Sequence, residues 1–199
     1  VHLFGSTISR ATLHNEDEIR RLDIRIGDYV TIEKGGDVIP KIVSADGSRR
    51  VGDPAPFRLP ATCPVCASAV FRSEGEAVAR CVSQECPARI KGNLLHFASR
   101  RAMNIEGLGD ALVDQLVDRN LVKNVADLYS LTEDTLTALD RMGTRSARNL
   151  LTEIENSKGY DPSRLLFGMG VRFVGERPAR ILMGHFGSRD RLAPAPLNE

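Results

Sequence analysis

Apolar positions along this chain change their period as one reads from its start. Up to about residue 60 they come in short Val- and Ile-rich runs. DYVTIEK (28–34) and DVIPKIVSA (37–45) predict two strands joined through Gly35-Gly36, a hairpin signal. Ahead of them, Asn15 predicts a helix N-cap with Glu18 as its capping-box partner, and Ile19 and Leu22 form the buried face. GDPAPFRLP (52–60) reads as a linker. From about residue 89 to 192 apolar residues recur at i, i+3 and i+4, which predicts helices throughout. The last stretch, APAPLNE, reads as a frayed end.

Composition adds limits. Hydrophobic residues make up 42% of the 199, so the chain is globular, but aromatics are 5% with no Trp. Any core therefore rests on Leu, Ile, Val and Ala. The formal net charge of +1 neither favours nor excludes a polyanionic partner, so only local charge placement is informative. No apolar run is long enough to span a membrane, and no signal peptide is evident. A start at Val rather than Met suggests a piece of a longer polypeptide. The acidic trio Glu16, Asp17 and Glu18 lies in a first helical turn, where it complements the helix dipole and is no catalytic carboxylate set.

All four cysteines fall in one short stretch. Cys63 and Cys66 form a C-x2-C knuckle, 14 residues follow, and Cys81 and Cys86 stand four residues apart. The segment between is hairpin-like, with Val70 and Phe71, a turn at Glu74-Gly75-Glu76, then Val78. A ribbon of this kind brings two thiolate pairs to one ion at about 2.3 Å each. Four thiolates leave no open position, so the expected Zn²⁺ is structural. The competing reading is two disulfides or free thiols. His2, His14, His96 and His185 are scattered and are expected to bind no metal.

The helical region repeats itself. Ile105-Glu106-Gly107-Leu108-Gly109-Asp110-Ala111, Arg141-Met142-Gly143-Thr144-Arg145-Ser146-Ala147 and Phe173-Val174-Gly175-Glu176-Arg177-Pro178-Ala179 align on Gly107, Gly143 and Gly175, 36 and 32 residues apart. Each precedes a helix, the pattern of a helix-hairpin-helix array. The first glycine of each unit is expected in a conformation that side chains resist. Arg145 and Arg177 are read as replacing the second, Gly109. Such a bend exposes amides at a helix start, where a phosphate oxygen binds without any base being read. Arg141, Arg148, Arg172 and Arg180 lie nearby, and Arg100 and Arg101 precede the first bend. The plainer reading is tight inter-helix turns that pack small residues.

ATLHN (11–15) and GDVIP (36–40), then the four-Cys ribbon, then RRAMNIEGLGD (100–110), closely resemble the C-terminal half of bacterial NAD-dependent DNA ligase over residues 1 to 192. The resemblance implies a multidomain α+β chain: a small oligonucleotide-binding (OB-like) β-barrel over 1–60, a four-Cys zinc ribbon over 61–88, and an all-α helix-hairpin-helix array of three units over 89–199. It implies a fragment that clamps nicked duplex DNA during replication and repair, as a cytoplasmic monomer, with Arg10, Lys34 and Lys41 as further DNA contacts. NAD and Mg²⁺ would serve the complete enzyme. The family's nucleophilic lysine lies in a K-x-D-G motif absent from these residues, and KGGD (34–37) has the wrong spacing. The fragment is therefore expected to be inactive alone, with no catalytic or cofactor-binding residue of its own. The family's fourth hairpin is expected to have been cut away. A stand-alone, non-enzymatic repair accessory module would use the same parts, and so would a protein-interaction scaffold in which the hairpins only pack.

Overall fold

The computed structural model describes residues 1–3, 5–35 and 39–195. The chain divides into two compact units, Val1–Ser83 and Gln84–Glu199.

In the first unit, β1 (His2–Leu3) pairs with β2 (Ser6–Thr7), and β3 (Val30–Gly35) pairs antiparallel with β4 (Ile39–Ala45). The register runs from Val30 opposite Ala45 to Gly35 opposite Ile39, with a bulge between Thr31 and Ile32. The hairpin is the expected one; its turn at 36–38, and so most of KGGD, lies outside the described residues. Thr12 bridges Lys41 in parallel, with the Thr12 amide donating to the Pro40 carbonyl at 2.9 Å. Between these strands lies α1 (Glu16–Arg21), whose Glu18 amide donates to the Asn15 side chain at 2.9 Å. The reciprocal half of the predicted capping box is not made. Arg21 donates to the Glu18 carboxylate instead, and the Asn15 amide bonds Leu13. Ile19 is buried and Leu22 is half-buried.

Little apolar surface is enclosed here. Among the described residues of this unit only Ile19 and Cys63 are buried hydrophobic positions. The strand ends are tied by charge. Arg50 forks onto the Asp28 carboxylate with two bonds of 2.8 Å and reaches Asp23 at 2.9 Å. Arg25 bonds Asp53 at 2.6 Å and the Pro54 carbonyl at 2.7 Å. The Asp28 side chain is 1% exposed, and although that burial alone would raise it, hydrogen bonding to the Arg50 guanidinium holds the carboxyl below its ordinary value of 3.8. The ribbon follows, with β5 (Val70–Phe71) against β6 (Arg80–Cys81) and Gly75 left-handed in the turn. Val78, expected in the second strand, precedes it and is exposed.

The second unit is helical, as its periodicity predicts: α2 (Pro87–Ala98), α3 (Asp110–Asp118), α4 (Glu133–Thr137), α5 (Thr144–Ser157), α6 (Pro162–Gly168), α7 (Glu176–Phe186) and α8 (Arg189–Leu192), with a 3-10 segment over Val125–Ser130. A continuous core runs through Leu94, Phe97, Val113, Leu116, Leu128, Leu136, Ala147 and Leu150. The helices α2 and α6 approach closely at Gly168, where a Cβ would stand 3.1 Å from Phe97 and 3.3 Å from Ala102. Among the described residues no helix is long and apolar enough to cross a membrane.

Candidate functional site

Local structure gathers the four thiols. Tight bonding turns the Cys63–Cys66 knuckle: the Ala67 amide donates to the Cys63 carbonyl at 2.9 Å, with Ala67 left-handed, and the Cys63 amide donates to Ser68 at 2.8 Å. Cys81 ends β6, and Cys86 caps α2 with Pro87 as the helix's first residue. The sulfurs of Cys63, Cys66, Cys81 and Cys86 all lie within 4.8 Å of one another, and Cys63 and Cys86 are buried. This donor set fits Zn²⁺, which takes four thiolates tetrahedrally and then has no position for substrate. None of the four is joined in a disulfide, which sets the disulfide reading aside. Among the described residues they make the one set of three or more His, Cys, Asp or Glu side chains able to hold a metal ion, so the scattered histidines form none.

The three bends are present, but in a different register from the one the repeated residues suggested. Gly109, Gly143 and Gly175 are the equivalent positions. Each is extended, with φ of −95°, −81° and −76°, and each caps a helix: α3, α5 and α7. Each glycine carbonyl accepts from the amide four residues on, Val113, Ala147 and Ala179, at 2.9 to 3.0 Å. Those three residues are 0% exposed, so they form the shared inward face. The left-handed residue stands two places before each cap: Gly107 at φ +89°, Arg141 at +60° and Phe173 at +64°. The expected left-handed conformation thus holds for Gly107 alone and fails for Gly143 and Gly175. Likewise, Arg145 and Arg177 are not substitutes for Gly109; they sit in the first turn of α5 and α7.

Why glycine at a cap that needs no unusual φ? Several other helix starts carry a polar side-chain cap, Asn15 on Glu18, Asn124 on Ala126, Thr132 on Thr135 and Asp161 on Ser163, while α2, which follows Cys86, carries none. Gly109, Gly143 and Gly175 have no side chain to offer. Among the described residues the amides of Asp110, Ala111, Thr144, Arg145, Ser146, Glu176 and Arg177 consequently have no protein acceptor. All three glycines are exposed, and a Cβ at Gly109 or Gly143 would meet nothing within 4 Å. Each start is therefore an open donor cluster at the positive end of a helix dipole.

Charge is distributed unevenly around these starts. Arg145 and Arg177 are exposed, without an acidic partner among the described residues, whereas Arg148 is paired with Glu133 at 2.9 Å and Arg180 with Glu176 at 2.6 Å. Arg100 and Arg101, expected beside the bend that follows them in sequence, are gathered with residues of the third unit. With Ser163, Arg164, Glu176 and Arg180 they line a cleft of about 430 Å³ beside the third cap. Arg164 is held there by the Ala102 and Arg100 carbonyls, both at 2.6 Å. Arg10 is exposed, Lys41 is half-buried in β4 opposite Glu33, and the Lys34 side chain lies outside the described residues. Sequence reading overlooked Arg141 and Phe173 as conformational equivalents of Gly107. The buried positions 113, 147 and 179, which carry the helical period, were the signal that fixes the register.

Comparison with known proteins agrees with these parts and their order. Residues 1–54 match the NAD-dependent DNA ligase OB-fold domain, residues 62–88 the NAD-dependent DNA ligase C4 zinc finger domain, and residues 164–199 the helix-hairpin-helix motif. The chain is 54% identical over 197 residues to a DNA ligase of Solibacter usitatus, covering 98% of this chain and 29% of the relative. It is 52% identical over 200 residues to one from Koribacter versatilis and 53% identical over 199 residues to one from Heliobacterium modesticaldum, in each case over 100% of this chain and 30% of the relative. It thus spans about 30% of the length of these curated relatives.

Proposed function

We propose, taking as premise that the OB-fold and zinc-finger segments belong to the domain families of NAD-dependent DNA ligase, that this chain is the DNA-gripping portion of such an enzyme. It would hold duplex DNA at a nick while the longer protein seals it in replication and repair. The single observation that carries the reading is the row of glycine caps, Gly109, Gly143 and Gly175, each opening a cluster of unbonded amides on an exposed surface. Donors so arranged suit phosphate oxygens and read no bases. Arg145 and Arg177 add charge beside two of the clusters, Gly107 shapes the first bend, and Arg10, Lys34 and Lys41 extend the contact from the β-rich segment.

The division is 1–60 for the OB-fold, 61–88 for the finger and 89–199 for the hairpins, with Cys63, Cys66, Cys81 and Cys86 as the zinc ligands. When bound, the zinc supplies cross-linking and no chemistry. NAD and Mg²⁺ belong to the adenylation and sealing steps of the complete enzyme in the cytoplasm. Its lysine nucleophile lies outside these residues, so the segment alone, a monomer, joins no ends. Its contribution is alignment of the two ends, which is itself a rate factor.

Titration of a nicked duplex across salt tests this. With about six phosphates held, log K falls against log[salt] with a slope near −5. Arg177→Ala reduces the slope by about 1. Gly175→Val weakens binding while leaving the melting temperature nearly unchanged, because the extended backbone accepts a side chain and the nearest heavy atom to a Cβ is 4.0 Å away. A slope near zero in the wild type, or no binding at low salt, overturns the proposal.

A further inference from the structure

The three left-handed positions are alike in backbone and unlike in side chain. Gly107 fills the first, Arg141 the second and Phe173 the third. Glycine suits this conformation, and a bulky aromatic is costly in it. At 86% exposed, Phe173 packs on no core. A fold selected for stability alone would carry glycine there, as the first hairpin does.

Its surroundings suggest what the ring meets. Two residues on, Gly175 opens the unbonded amides of Glu176 and Arg177. The Arg172 guanidinium lies 4.9 Å from the ring centroid, and Val171 and Met169 beside it are also exposed. One short bend therefore presents amide donors, cationic side chains and an exposed apolar ring together. A surface with anionic and apolar groups at the same close spacing is a DNA groove: phosphates along its rim, and deoxyribose forming the walls of the minor groove.

Building on the proposed DNA-gripping role, we infer that Phe173 enters the minor groove and packs on its deoxyribose walls while the Gly175 amides hold the adjoining phosphate. The third hairpin thus differs in kind from the other two. The first grips by backbone alone, the second adds the charge of Arg141, and the third adds an apolar wedge.

The test uses the full chain and a short duplex, with Phe173→Gly as the variant. Glycine accepts the left-handed backbone, so the melting temperature stays level or rises. Affinity falls about tenfold. The salt slope does not change, because no phosphate contact is lost. Phe173→Leu keeps most of the affinity. Filling the minor groove beforehand with a polyamide ligand brings the wild type down to the level of the glycine variant. Equal binding by wild type and Phe173→Gly overturns the inference, as does an affinity difference that persists on the filled groove or a slope that changes with the ring. Absence of DNA binding by the wild type itself would instead strike the DNA-gripping role.

Discussion

The two compact units solve the same problem by different means. In Val1–Ser83 almost no apolar side chain is enclosed, and the loops are tied by Arg50 on Asp28 and Asp23 and by Arg25 on Asp53. In Gln84–Glu199 an unbroken run of Leu, Val and Phe side chains is closed by short helices. Short elements rich in polar residues cannot remove enough apolar area from water to offset chain entropy, and cross-links and ion pairs take over. The helical unit depends on apolar volume, and the first unit depends on ion pairs and on the cross-link its three cysteines make with Cys86.

The strongest way to break that contrast is to remove zinc. Chelation, or Cys63→Ser, is expected to unfold the finger, since the metal supplies on the order of 10 kcal/mol to such a fold. The helical core should melt at nearly its original temperature. Metal analysis with circular dichroism reads both, and undiminished zinc in the Cys63→Ser protein would refute the assignment of that ligand. Next in size is Leu116→Ala. This side chain is 0% exposed, so its loss should cost about 2–5 kcal/mol in denaturant unfolding of the helical unit. The smallest effect is on pH. Asp28 is held below its ordinary value by Arg50, so its contribution is complete above the ordinary carboxylate range and is lost as pH falls through the depressed value. The first unit should loosen in acid before the helices do, with Asp28→Asn removing most of that difference. Identical acid profiles for the two proteins would show that the Arg50 fork contributes little.

How much of this was legible in the sequence depends on how local the cause is. The finger was readable because two closely spaced cysteine pairs and a turn between them constrain one ion within a few residues of chain. The β3–β4 hairpin was readable for the same reason. The register of the three bends was not. Glycine in a repeat suggests a left-handed backbone, yet Gly143 and Gly175 are extended and leave the helix that follows without a side-chain cap. The residues that do adopt the left-handed conformation, Arg141 and Phe173, are types that ordinarily avoid it. Identity at the repeated glycines pointed two places away from the conformation. The placement of Arg100 and Arg101 beside the third cap was equally hidden, because it depends on how α6 seats against α2 through Gly168, a contact between residues far apart in the chain.

The uncapped starts of α3, α5 and α7 carry a consequence for how this molecule can change. Asp or Ser at position 109, 143 or 175 would satisfy its own helix and firm it by roughly a few tenths of a kilocalorie per mole. The same substitution would fill the seat from within, with an oxygen that never leaves. On the proposed role, heat tolerance and grip pull in opposite directions at these three positions, and a lineage selected only for thermal endurance would drift toward a sturdier protein with a weaker hold on phosphate.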